Sequence, residues 1–94
     1  MPLTESIDFK AVLQRGNRIQ IPRLIRWQYR MEPDQVLKVK VKTESWREEE
    51  FYARMGNDGR LTIPKLTLEL LQQEDESLAG SVLEITLEPP TSSD

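Results

Sequence analysis

The segment Arg18-Ile19-Gln20-Ile21-Pro22-Arg23-Leu24 returns 42 residues later as Arg60-Leu61-Thr62-Ile63-Pro64-Lys65-Leu66, and the same offset carries Phe9 onto Phe51 and Ala11 onto Ala53. A chance heptapeptide would not extend in this way, so the chain is one unit written twice. A unit of about forty residues is too small to bury a core without disulfides, metal or a partner. The two copies are therefore expected to close on each other as a single domain over residues 1–94, with repeat one at 9–42, a connector at 43–48, repeat two at 49–88 and a disordered tail at 89–94.

Each copy reads as strand, strand, helix, strand. Phe9–Gln14 is rich in strand formers and is followed by Arg15-Gly16-Asn17, a turn signal that predicts a hairpin with Arg18–Ile21. In that second strand Ile19 and Ile21 share one face and Arg18 and Gln20 the other. Pro22 cannot donate to a ladder, and its fixed φ suits a first helical turn, so a helix is expected from about Arg23 to Met31, ahead of Glu32-Pro33-Asp34. Val36–Lys42 then alternates apolar residues with lysine at period two, as a strand with one buried and one wet face does.

In the second copy the same order is expected at Glu50–Gly56, Arg60–Ile63, Lys65 to about Gln73, and Ser81–Glu88. Asn57-Asp58-Gly59 forms its turn. Val36 matches Val82 at an offset of 46, which places four extra residues in the loop Glu74–Gly80.

Composition narrows the chemistry. With no cysteine and no histidine, the chain has no thiolate or imidazole nucleophile and no zinc or iron–sulfur ligation of the usual kind. No glycine-rich phosphate cradle is present either, so no cofactor, metal or enzyme activity is expected. Glu5 and Asp8 stand where a signal peptide would be apolar, and no apolar run approaches a membrane span, which suggests a cytoplasmic protein.

The net charge of −3 hides an uneven split. Met1–Glu44 holds nine Lys/Arg against five Asp/Glu, a balance of +4, whereas Ser45–Asp94 holds four against eleven, a balance of −7. Local fields rather than total charge steer a polyanion, so the basic half is the candidate for nucleic-acid contact. Arg23, Arg26 and Arg30 would lie within about 60° on a helix, a single cationic stripe close to Arg15 and Arg18. A stripe of this kind is also what a solvated helix face looks like, and both readings stand.

Lys10, Lys38, Lys40 and Lys42 read as outer-face charges. Arg18 and Arg60 have cross-strand pairing with a carboxylate as their structural alternative. Trp27 and Trp46 are the size of base-stacking residues, but isolated aromatics in a small domain more often serve as core or interface. Leu24, Ile25, Tyr29 and Met31 are also expected in the core. The acidic runs Glu48–Glu50 and Glu74–Glu76 read as solvated loop charges, and neither has calcium-loop spacing.

A basic residue, an apolar strand ending Ile-Pro, a cationic helix start and a Pro/Asp turn together resemble the AbrB/MazE/SpoVT swapped-hairpin family. The residues that carry the resemblance are Arg18, Ile21, Pro22, Arg23, Ile25, Arg26, Tyr29, Met31, Asp34, Leu37 and Val39. Arg30 departs from it, standing where many members have a helix-ending glycine, and the second repeat matches through Gly59–Lys65 and then drifts.

The resemblance implies a mainly β fold with short helices, a pseudo-twofold swapped-hairpin barrel with two ββαβ repeats in one chain, a layout similar to MraZ-type proteins. It also implies a transcription regulator that binds double-stranded DNA through arginines of the turns and helix starts, here Arg15, Arg18, Arg23, Arg26 and Arg30 with Lys10. A homodimer of tandem chains would pair two such surfaces. The alternative is a protein-interaction module or antitoxin-like protein whose acidic second repeat binds a basic partner.

Overall fold

The computed structural model describes residues 5–72 and 78–89. It is mainly β, with strands β1 (Ile7–Val12), β2 (Arg18–Gln20), β3 (Val36–Lys42), β4 (Glu48–Arg54), β5 (Arg60–Thr62) and β6 (Val82–Glu88) and two short helices, α1 (Arg23–Gln28) and α2 (Lys65–Leu71). The acidic run Glu74–Glu76 and the tail beyond Pro89 lie outside the described residues.

Strand pairing crosses between the repeats. β1 of the first copy pairs antiparallel with β6 of the second, Phe9 opposite Ile85, and β4 of the second pairs with β3 of the first, Phe51 opposite Val39. The two third strands join these pairs, giving a four-stranded sheet in the order β1-β6-β3-β4. β2 and β5 pair with each other in a separate ribbon centred on Ile19 opposite Leu61.

Each of these contacts has its counterpart under the repeat offsets. The Ile63 N–H donates to Asn17 O at 2.7 Å and the Ile21 N–H donates to Gly59 O at 3.0 Å. Neither ββ unit therefore satisfies its backbone alone; the other copy supplies the partner groups.

Two expectations are corrected here. Residues 9–21 do not form an extended hairpin, because β1 and β2 share only the bridge at Gln14 and Arg18 before diverging into different sheets. The strands also do not close into a barrel. β2 and β5 are three residues long, each followed within two residues by a proline that cannot extend a ladder, so β1 and β4 remain the outer strands of the sheet.

One core serves both copies. Ile19, Ile21, Leu37, Val39, Val41, Leu61, Ile63, Leu83, Ile85 and Leu87 have at most 1% of their surface exposed. The alternation expected for Val36–Lys42 is observed, Leu37, Val39 and Val41 facing in and the three lysines facing out.

Glu48–Glu50 is strand rather than solvated loop. The lysines of β3 lie opposite it, with Lys42 facing Glu48 and Lys40 facing Glu50, and opposite charges across a strand pair stabilise it. Lys38 reaches Glu50 at 3.7 Å and Lys40 reaches Glu88 at 3.6 Å.

Helix α1 is shorter than expected, ending at Gln28 instead of Met31. Its end is a Schellman arrangement in which the Arg30 N–H donates to Trp27 O at 3.2 Å and the Met31 N–H donates to Arg26 O at 2.9 Å. Arg30 supplies the left-handed residue at φ 52°, and the buried Met31 anchors the exit. Local capping and burial of Met31 thus stop the helix one turn before Pro33 would.

Candidate nucleic-acid interface

The interleaving of strands decides where the basic residues go. The turn Arg15–Asn17 is held by Ile63 of the other copy, so Arg15 and Arg18 belong to the surface leading into Pro64 and Lys65 at the start of α2. Arg23, Arg26 and Arg30 instead accompany the Asn57–Gly59 turn, which is held by Ile21. The basic stretch is therefore divided between two turn-and-helix sites rather than gathered beside one turn, which periodicity within one repeat could not reveal.

Arg18 and Arg60 occupy equivalent positions with different surroundings. Arg60 donates through Nε to Gln20 Oε1 at 3.2 Å and lies 3.6 Å from Asp58 Oδ2, while its N–H donates to Asp58 Oδ1. Gln20 in turn donates through Nε2 to Asp58 O at 2.8 Å. For Arg18 the corresponding residues are Gly16 and Thr62, neither of them an anion, and its guanidinium lies over Gly16 in solvent. Arg60 alone meets a carboxylate, and it does so within its own turn at Asp58, while its partner across the ribbon is the neutral amide of Gln20.

The cationic stripe on α1 does not survive in three dimensions. Arg26 stands where the second copy has the core residue Leu68, and it is half-buried. Its Nε donates to Ile21 O at 3.2 Å and its guanidinium packs on Gly59. Arg30 has left the helix for its left-handed cap. Arg15, Arg18, Arg23 and Arg30 are exposed, and among the described residues none of the four makes a hydrogen bond or ion pair through its side chain. Lys10 is exposed on the outer face of the sheet opposite Glu84, away from the turns and beside a counter-charge.

The tryptophans and Leu24 are not core. Trp27 is 79% exposed, Trp46 78% and Leu24 75%. In α2 the inward positions are Thr67, Leu68 and Leu71, which correspond to Ile25, Arg26 and Tyr29 of α1, so Trp27 falls on the outward position held by Glu69 in the other copy. The signal that it faces solvent was present in the repeat alignment. Trp46 sits in the β3–β4 turn at φ 65° with Lys42 Nζ 4.2 Å from its ring.

With this geometry in place, comparison with solved structures finds a match. The chain is similar to the solution structure of PHS018 from Pyrococcus horikoshii. The two share 28% sequence identity and superpose with a TM-score of 0.70 over 98% of this chain and 100% of that one. The likeness therefore extends over nearly the whole chain, not one motif. No family model and no curated protein matches the chain.

Among the described residues no helix is long and apolar enough to cross a membrane, and no group of three acidic side chains is placed to hold a metal ion.

Proposed function

We propose that this chain is a cytoplasmic DNA-binding regulator of the AbrB-like type, contacting duplex phosphates through Arg15, Arg18, Arg23 and Arg30. The observation that carries the reading is the contrast between Arg18 and Arg60: one repeat neutralises its arginine with Asp58, and the other leaves the equivalent cation free. Unpaired guanidinium groups on exposed turns and helix starts are what phosphate contact requires. Exchange of first and third strands between copies supports the swapped-hairpin relationship, with the tandem repeats supplying in one chain what family members assemble from two. Arg26 is a structural residue in this reading and Lys10 contributes only to the surrounding field.

Salt dependence tests it. Affinity for mixed-sequence duplex DNA should fall between about 50 and 200 mM salt, with a log–log slope of roughly −0.9 per phosphate neutralised. Arg18→Ala together with Arg23→Ala should make the slope shallower by about one unit for each contact removed. Absence of binding at low salt, or an unchanged slope, overturns the reading.

A second reading has its own observation. Leu66 and Leu70 of α2 are exposed and adjoin at i and i+4, with the exposed Glu69 at the edge of the pair, an apolar and acidic face suited to a basic protein partner. In that case a partner would protect α2, and the Arg18/Arg23 variant would bind it unchanged.

A further inference from the structure

Helix α1 buries none of its residues, in contrast to α2, which buries three. Its outward face carries Trp27 with Leu24 three residues before it and Arg23 four before it, so that the three side chains adjoin on one surface. Arg30 follows at the cap. A cleft of about 500 Å³ lined by Arg26, Trp27, Gln28, Arg30 and Met31 runs alongside the indole.

An exposed indole of this size is not explained by folding. The equivalent outward position in the second copy is Glu69, and α2 forms without an aromatic residue there. Keeping an apolar ring in water forgoes most of the stabilisation that burying it would bring. Two of the flanking cations, Arg23 and Arg30, make no ion pair among the described residues.

We propose that the outward face of α1 is a stacking platform for unpaired bases of single-stranded nucleic acid, with Trp27 beneath a base and Arg23 and Arg30 on the phosphates to either side. The proposal rests on the nucleic-acid reading and adds a ligand that phosphate contacts alone do not select. An aromatic side chain bracketed by cations is the arrangement by which single strands are held without sequence preference. A duplex offers no such partner, because its bases are already stacked and present only their edges in the grooves. An acidic protein segment would satisfy the charges but would not need a flat ring; it is an outcome of the test.

The test uses the full chain with Trp46→Phe, which leaves Trp27 as the sole tryptophan. Labelled oligothymidylate, oligouridylate and a duplex of equal length are titrated by anisotropy while indole emission is followed. Oligothymidylate should quench Trp27, and Trp27→Ala should weaken its binding by roughly five- to a hundredfold while changing duplex affinity less than about twofold. Trp27→Phe should retain most of the affinity. Trp27→Glu, which copies the outward residue of α2, should abolish single-strand binding, with an unchanged melting transition showing that the fold persists.

Binding of oligothymidylate that ignores Trp27→Ala and leaves emission unquenched overturns the platform. Arginine-dependent duplex binding in that case keeps the phosphate reading intact. Failure of every nucleic acid to bind overturns both and directs attention to an acidic protein ligand.

Discussion

The guanidinium of Arg26 lies directly against the α-carbon of Gly59, so that the first repeat closes over the turn of the second with a side chain where the second repeat uses Leu68. A β-carbon added at Gly59 would overlap that guanidinium. The residue is also at φ 80°, a region that costs an L side chain about 1–2 kcal/mol. Gly59→Ala should therefore destabilise the protein by about 1–3 kcal/mol in urea denaturation. Because Arg26 can swing aside, the loss comes mostly from the backbone, and Arg26→Ala should relieve only a minor part of it in a double-mutant cycle. A neutral Gly59→Ala would show that the turn adopts another conformation.

Arg30 is the converse case, a long side chain in the left-handed position that glycine fills at no steric cost. Arg30→Gly should raise stability by about 0.5–1 kcal/mol, the relief of strain being partly offset by the greater freedom of an unfolded glycine. If the proposed DNA contact holds, the same variant should weaken it by removing an unpaired cation. A rise in melting temperature accompanied by a loss of affinity is the expected pair of readings; parallel loss of both would contradict the cap assignment.

Arg18 and Arg60 should separate stability from binding. Arg60→Ala removes the contacts to Gln20 and Asp58 and should cost about 1 kcal/mol of folding stability. Arg18→Ala breaks no contact with a partner side chain and should stay within about 0.5 kcal/mol of wild type while lowering the affinity for DNA proposed above. Equal stability losses for the two variants would refute the asymmetry between the repeats.

On the outer sheet face, Lys40 lies between Glu50 of β4 and the carboxylate of Glu88. Lys40→Glu should set like charges against one another and lower stability by about 0.5–1 kcal/mol, a modest amount because these side chains are partly in water. Raising the salt concentration should recover much of the difference in thermal melts. A salt-independent loss would point to packing rather than charge.

Much of the local structure was legible in the residues themselves. Val36–Lys42 shows its strand and its buried face by alternation, and the Ile-Pro sequences mark where β2 and β5 stop and the helices begin. The repeat offset aligned Trp27 with Glu69, a sign of an outward position that the expectation of a core tryptophan passed over. Glu48 and Glu49 were not legible as strand, because acids have little preference for strands; the lysines that face this run, Lys42 opposite Glu48 and Lys40 opposite Glu50, lie six and ten residues earlier across the β3–β4 turn.

By itself the sequence determined that two copies share one core, which faces of the strands are apolar, and which half carries the excess of arginine. Only the tertiary structure decided that β1 joins β6 rather than β2, that Arg26 serves the fold, and that Arg18 stays free where Arg60 is neutralised. Alternation specifies the face of a strand but not its neighbour, since backbone hydrogen-bonding groups are alike in every strand. The neighbour is selected by how the apolar faces of both copies can be buried at once, and that choice places each arginine beside a carboxylate, a carbonyl or water.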